Sequence, residues 1–446
     1  MKIKGNLFFS GDKSLSHRAA IIAGLAWGKS LIRNYLPGGD TLNTLGLFEK
    51  LGCRVERDGT TVRMDSPGVE NWNTEPGTAD LGNSGTIARL ALGFLAGKKG
   101  LTITLTGDQS LSKRPMGRIL RPMISAGAEY SYKGETDRLP VVIHGKKLLP
   151  IFHKEDLGSA QVKSALIFAA LVSQTPLQME EAKLSRDHTE NMLSGAGVQI
   201  DIHKLDSGRL LEMEPPFTVN PIEYDIWGDI SSAAFFIVLG LLMKKGELLI
   251  RDVLLNPFRT RFLDVLQKMG ARMEIMEKEL RGGEKGCDLL VLPSELKGYK
   301  ISPAEIPSVI DELPILTIAG IFCEGEFCFR GAKELRVKES DRIDALVKNL
   351  RALGMEVEEY DDGLSFQGNP ERILAGSIES FHDHRIVMSF EIARIISSQN
   401  SCKGPDSLDA ILNDTEFRIA GQEWTTTSFP DFYDKIRNVL DFTEKA

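Results

Sequence analysis

At 446 residues the chain exceeds what one hydrophobic core commonly serves, and each half is long enough to bury its own. Its 54 Lys and Arg against 62 Asp and Glu give a formal charge of −8, which excludes a general nucleic-acid binder with a basic face; an anionic ligand must meet a local positive site. Five dispersed cysteines (Cys53, Cys287, Cys323, Cys328 and Cys402) without zinc-knuckle spacing point to a reduced, cytoplasmic setting, and neither a signal peptide nor an apolar run of bilayer-spanning length is read.

The predicted elements alternate between two kinds of helix. An apolar helix is expected from Lys13 (KSLSHRAAIIAGLAWG), then an amphipathic one from Thr41 that stops at Leu51-Gly52, where glycine can take positive φ, then a strand at Thr61-Val62-Arg63-Met64. The order repeats with an apolar helix from Gly85 and an amphipathic one from Arg114, and again from Ser159 and Asp187, the latter ending at Ala196-Gly197. It continues from Ser231 and Arg259 to Met269-Gly270 and the strand Leu289-Leu290-Val291-Leu292. Glu312 and Ser340 open the next pair, ending at Leu353-Gly354 before the strand Gly363-Leu364-Ser365-Phe366. The sixth apolar helix starts near Asp383, and its partner is displaced to about Asp431. Apolar starts are 72, 74, 72, 81 and 71 residues apart, and the first five amphipathic partners follow by 28 or 29. One supersecondary unit is thus copied six times, which predicts two similar α/β domains of three units each. The apolar helices are hydrophobic nearly all round, as buried helices must be.

The helix starts also carry anion-binding groups. Backbone N–H groups and the helix dipole favour anions there, and a flanking cation adds full charge. Lys13 with Arg18, Asn83-Ser84-Gly85-Thr86 with Arg89, Ser159 with Gln161 and Lys163, and His384 with Arg385 are such sets. The amphipathic helices add Arg114, Arg118, Arg186, Lys338 and Arg342. Singly, each is ordinarily a solvated charge or a simple cap; recurrence at equivalent positions of the repeat argues for a site. Three motifs carry less. Gly24 to Ser30 has one residue too few for a phosphate loop, His382-Asp383-His384-Arg385 lacks a matching cluster for metal, and Cys323-x4-Cys328 reads as core filling.

At these same residues the chain resembles a known family. Gly11-Asp12-Lys13-Ser14-Leu15-Ser16-His17-Arg18, Leu81-Gly82-Asn83-Ser84-Gly85-Thr86, Lys113-Arg114-Pro115-Met116-Gly117-Arg118, Arg336-Val337-Lys338-Glu339-Ser340-Asp341-Arg342 and Asp383-His384-Arg385 are similar to the signature blocks of the 5-enolpyruvylshikimate-3-phosphate (EPSP) synthase family. The resemblance implies two domains, each of three βαβαββ repeats around buried apolar helices (an inside-out α/β barrel). It assigns 12–228 to one domain and 1–11 plus 229–446 to the other, with the active site in the cleft between them. It implies transfer of the enolpyruvyl group of phosphoenolpyruvate to the 5-hydroxyl of shikimate 3-phosphate, with no metal, organic cofactor, nucleic acid or membrane, by a monomer. By the same resemblance Lys13, Gly85, Arg114, Gln161, Arg342 and Arg385 meet phosphoenolpyruvate. Lys13, Ser14, Arg18, Ser159, Gln161, Arg186, Asp311 and Lys338 meet shikimate 3-phosphate, and Lys13, Asp311 and Glu339 are catalytic. It also implies sensitivity to glyphosate, since Gly85 leaves room beside the phosphoenolpyruvate site.

Departures from the family pattern fall at Thr425-Thr426-Thr427-Ser428, where one branch has a Lys, at Ala160, where some members have Ser, and at Glu334, where some have Asn. All fit the bacterial-type branch, as does Ser185-Arg186-Asp187-His188-Thr189-Glu190. The sister transferase acting on UDP-N-acetylglucosamine is expected to carry an Asn after the first Lys and a Cys near residue 115; here Ser14 and Arg114-Pro115 stand instead. A non-catalytic anion-binding relative is expected to have lost Lys13, Asp311, Glu339 or Arg385, and all four are present.

Overall fold

The computed structural model describes residues 1–156, 158–401 and 405–442, so Cys402 lies outside the described residues. The chain divides into two compact units, Ser10–Trp227 with Leu280–Glu284, and Met1–Phe9 with Gly228–Glu279 and Lys285–Ala446. Set beside the sequence reading of 12–228 and 1–11 plus 229–446, the main difference is Leu280–Glu284, the tip of a hairpin, which joins the other unit from the strands that carry it.

In the first unit every repeat builds a four-stranded sheet of one plan. Ile151–Glu155 pairs in parallel with Leu177–Glu181 across an apolar helix, and Arg209–Met213 and Asp201–Lys204 then add antiparallel. Gly77–Asp80, Thr102–Thr106, Val141–His144 and Glu129–Tyr132 repeat the order. The remaining sheet has Trp27–Arg33, Thr61–Pro67 and Arg54–Asp58, and it takes its first strand, Glu223–Asp225, from the far end of the unit.

The second unit follows the same plan with less regularity. Lys2–Phe8 pairs in parallel with Gly246–Leu254, followed by antiparallel Gly286–Leu292 and Arg272–Glu277. Lys300–Ile301, Gly325–Phe329, Gly363–Gly368 and Glu358–Tyr360 form the next sheet. The sixth repeat is abbreviated: its own sheet among the described residues is the parallel pair Gly376–Ile378 and Phe417–Ile419, and Leu440–Asp441, after its last helix, instead pairs antiparallel with Lys2 and Ile3 of the first strand.

The six apolar helices are Lys13–Leu25, Gly85–Phe94, Ala160–Ser173, Ile230–Leu242, Leu313–Ile321 and His384–Asn400. Their polar starts are largely caps. Asp12, Ser159, Asp229 and Asp383 each accept a hydrogen bond from a backbone N–H in the first turn, satisfying a donor that the helix cannot. Beyond the caps the helices enter the cores, with Ile21, Ile22, Leu92, Phe168, Phe236, Ile318 and Phe390 fully buried. Close packing depends on small residues. A Cβ on Gly93 would lie 2.3 Å from the carbonyl oxygen of Ala165, so only glycine lets the second and third helices approach this closely.

Candidate active site

Lys13 opens its helix and pairs with Asp40. Burial alone would raise the Asp40 pKa, but Lys13 holds it below the usual carboxylate range. Behind it His17 is fully buried and held neutral, its pKa pulled down to about 3 by burial and by Lys13, and its Nδ1 lies 2.6 Å from the Thr44 hydroxyl. Arg18, one turn on, is 3% exposed. It donates to Thr189 Oγ1 at 2.8 Å, to Ser164 Oγ at 2.9 Å and to the Ser14 carbonyl at 3.0 Å. Burial pulls the Arg18 pKa down to about 10, against the opposing pull of Glu190 and Asp12.

The neighbouring helix starts assemble the rest of this unit's set. Arg114 donates to Asn83 Oδ1 at 2.8 Å. Arg89 donates to Gln161 Oε1 at 3.1 Å, and Gln161 lies in the first turn of the helix that Ser159 caps. Gly85 sits beside both guanidinium groups: a Cβ there would be 3.1 Å from Arg89 and 3.2 Å from Arg114. Arg114 does not begin the amphipathic helix expected from it. It is extended (φ −78°, ψ 135°) after a short helix, Gln109–Lys113, and the next helix starts at Gly117. The cause is Pro115, which disfavours helical backbone at the residue before it.

In the other unit Lys338, Glu339, Arg342, Asp383 and Arg385 gather with Asp311. Arg342, almost fully buried, donates to Asp383 Oδ2 at 2.7 Å and to Glu339 Oε2 at 2.8 Å. Burial disfavours charge on Asp383, yet Arg342 keeps it ionised, and Asp383 also caps its helix through Arg385 N–H at 2.9 Å. Desolvation likewise opposes charge on Glu339, and Arg342 overcomes it, holding the group well below the usual range. His384 is neutral, pulled down to about 4 by burial. Lys338 Nζ is 3.3 Å from Asp311 Oδ1, and Arg385 donates to the Asp311 carbonyl at 2.6 Å. Glu312 beneath it is buried, with its pKa raised by burial, and accepts from the Ser231 hydroxyl.

The expected residues therefore fall into two groups. Lys13, Ser14, Arg18, Gly85, Arg114, Ser159, Gln161 and Arg186 belong to one unit, and Asp311, Lys338, Glu339, Arg342 and Arg385 to the other. Lys163 is a different case from its helix neighbours. It is fully buried, 2.9 Å from Glu181 and 2.8 Å from Glu190, and Arg209 pairs with the same two carboxylates. It cannot present charge to a ligand.

Thr189, which holds Arg18, and His188 and Glu284, which meet beside it, do not stand out as site residues in the sequence; the Ser185–Glu190 block is the only signal that points to the first two. Asp187, His188 and Glu284 also form the one group among the described residues whose ligand-type atoms lie within 4.8 Å of one another. It is occupied by its own hydrogen bonds, His188 Nδ1 lying 2.8 Å from Glu284 Oε1. Cys53, Cys287 and Cys323 are buried thiols with pKa values pushed up to about 11, 12 and 11, so none is poised as a nucleophile.

The family described as EPSP synthase (3-phosphoshikimate 1-carboxyvinyltransferase) matches residues 1–436. The chain is 45% identical over 443 residues to the 3-phosphoshikimate 1-carboxyvinyltransferase of Leptospira interrogans serogroup Icterohaemorrhagiae serovar copenhageni, covering 97% of this chain and 96% of the relative. It is 39% identical over 440 residues to the protein of that name from Desulfitobacterium hafniense strain DSM 10664, covering 99% and 96%. Among solved structures, EPSP synthase from Acinetobacter baumannii is similar at a TM-score of 0.83 and 33% identity, over 97% of this chain and 95% of that one. The enolpyruvyl transferase NikO from Streptomyces tendae shares the fold, with a TM-score of 0.71 at 15% identity over 98% and 96%.

Proposed function

The chain belongs to the EPSP synthase family, and from that premise we propose that the two groups of cations and carboxylates are the two halves of one active site. The reaction moves the enolpyruvyl group of phosphoenolpyruvate to the 5-hydroxyl of shikimate 3-phosphate and releases phosphate. The observation that carries the site assignment is the placement of cations at helix starts (Lys13, Arg342) or a few residues ahead of one (Arg114, Lys338), where each already holds a protein oxygen that a substrate anion can replace. Both substrates bear a phosphate and a carboxylate, and forked Arg groups suit both.

In this reading Lys13, Gly85, Arg114, Gln161, Arg342 and Arg385 hold phosphoenolpyruvate. Lys13, Ser14, Arg18, Ser159, Gln161, Arg186, Asp311 and Lys338 hold shikimate 3-phosphate. Asp311 takes the proton from the 5-hydroxyl, and the Lys13 ammonium steadies the charge developing on that oxygen, as it attacks the central carbon of phosphoenolpyruvate. Glu339 gives a proton to the methylene, and takes one back from the resulting methyl group as phosphate leaves the tetrahedral intermediate. General acid and base groups of this kind are worth roughly 10² to 10⁴ in rate.

Glu339 on its own is held ionised by Arg342, which is the wrong state for a proton donor. A substrate carboxylate on Arg342 supplies the missing step, because it spends that cation's charge on the ligand and lets the Glu339 pKa rise. The donor is then armed only when phosphoenolpyruvate is bound. The protein is taken to work as a cytoplasmic monomer; no helix among the described residues is long and apolar enough to cross a membrane.

The test is phosphate release by purified protein with phosphoenolpyruvate and shikimate 3-phosphate, in a chelator and with no added metal. Turnover is expected at full rate. Release only with UDP-N-acetylglucosamine, or only after a divalent ion is restored, would overturn the reading.

A further inference from the structure

The hairpin tip Leu280–Glu284 brings a carboxylate to a helix nearly a hundred residues away in sequence. The turn is shaped for this approach. Gly282 (φ +55°) and Gly283 (φ +83°) take left-handed backbone, and a Cβ on Gly283 would lie 2.0 Å from the Asn191 carbonyl oxygen. Arg281 stacks on the Trp227 ring at 3.8 Å, and Trp227 Nε1 donates to the Glu284 carbonyl at 2.9 Å. The Glu284 side chain, nearly fully buried, then meets His188 Nδ1 at 2.8 Å and accepts from Asn191 Nδ2 at 3.3 Å.

His188 and Asn191 lie three residues apart on one face of the helix His188–Gly195, so Glu284 grips its first turn. The same turn carries Thr189, which accepts from Arg18 Nε at 2.8 Å and lies 2.6 Å from the Ser164 hydroxyl that holds another Arg18 nitrogen. Arg186 stands two residues before this helix, next to its capping residue Asp187. A buried carboxylate is costly, and an apolar side chain could fill the same space, so bulk packing alone does not call for one here.

Resting on the functional reading above, we propose that Glu284 is a positioning residue for shikimate 3-phosphate: it fixes the first turn of the His188–Gly195 helix, and through Thr189 it aims Arg18. A shift of about 1 Å in such a group is enough to cost on the order of 10²-fold.

The experiment compares steady-state kinetics and thermal unfolding of the full-length wild type, Glu284→Ala, Glu284→Gln and Arg281→Ala. Glu284→Ala is expected to raise KM for shikimate 3-phosphate by about tenfold or more while KM for phosphoenolpyruvate stays within about twofold. Glu284→Gln, whose amide oxygen still accepts from His188 and Asn191, is expected to restore it. Arg281→Ala loosens the hairpin that seats Glu284 and is expected to raise KM for shikimate 3-phosphate in the same direction, by less than Glu284→Ala does, with KM for phosphoenolpyruvate again within about twofold. Should Glu284→Ala not fold, His188→Gln, which cannot donate from the Nδ1 position, is expected to give the same selective rise. Equal changes in both KM values, an unchanged KM for shikimate 3-phosphate, or a Gln variant as impaired as the Ala variant would overturn the proposal. A wild type that does not turn over these substrates would sink the functional reading and this one with it.

Discussion

Lys13 and Lys163 lie in the same unit and both stand in the first turn of an apolar helix, yet their surroundings give them different work. Lys13 is about a third exposed and pairs with Asp40 at a helix start, whereas Lys163 is fully enclosed by Glu181 and Glu190. Lys13→Met is therefore expected to cut turnover by orders of magnitude with unfolding unchanged. Lys163→Ala leaves two buried carboxylates short of a partner and is expected to cost about 3–5 kcal/mol of stability. Denaturant unfolding beside kinetic assays separates the two, and an active, stable Lys163→Ala protein would contradict the assignment. At Gly85 the added methyl of Gly85→Ala presses on the ends of Arg89 and Arg114 at 3.1 and 3.2 Å, which can yield, so the protein should fold. Glyphosate inhibition of the wild type is expected to weaken in this variant by more than KM for phosphoenolpyruvate rises, within roughly 10- to 200-fold. Inhibition constants measured beside KM for both proteins check it, and equal losses would show that Gly85 does not set the space.

Helices were the most legible elements because burial writes itself into composition: a helix enclosed on all sides must be apolar on all sides, and the period of six such runs survives divergence. The starts expected at Lys13 and Gly85 are the observed starts, and those at Ser159, Glu312 and Asp383 are the residues just before them. What stayed hidden depends on local backbone or on distant partners. Pro115 moved the amphipathic helix to Gly117, the sixth repeat has a sheet of just two parallel strands among the described residues and lends Leu440–Asp441 to another sheet, and Glu284 meets His188 through a turn whose sequence, Arg281-Gly282-Gly283-Glu284, gives no sign of a partner. Two apolar helices also carry a pH dependence. His17 and His384 are buried neutral with pKa values near 3 and 4, against 6.5 for the free side chain. Below about pH 6.5 the unfolded chain takes up protons that the folded helices refuse, so stability should fall from pH 6.5 towards 4, by up to about 1.4 kcal/mol per pH unit for each histidine. Asp40 and Asp383, held below their ordinary values, add a loss at still lower pH. Melting temperatures across this range check the sign, and His17→Asn should flatten the slope.

At the scale of the whole molecule, the two units are not successive stretches of chain. Lys2–Phe8 belongs with Gly246–Leu254, Glu223–Asp225 completes a sheet begun at Trp27–Arg33, and Leu280–Glu284 is returned to the unit that Ser10–Trp227 makes up. The ribosome delivers these pieces in an order the fold does not follow. Ser10–Trp227 has all three of its sheets once residue 225 has emerged, yet it still lacks the carboxylate that grips His188 and Asn191 until residue 284 is out. Lys2–Phe8, made early, waits for more than half the chain before its parallel partner exists, a long loop closure that slows folding. Stalled nascent chains should therefore show a late step: protease resistance of the 10–227 region is expected to rise when the stall point moves from an exposed residue 279 to an exposed residue 290. Equal resistance at the two lengths would mean that this unit is finished without its borrowed hairpin. It follows that a gene fragment ending at residue 227 encodes all of that unit's sheets but not the whole unit, and cutting this protein into its halves takes a rearranged gene.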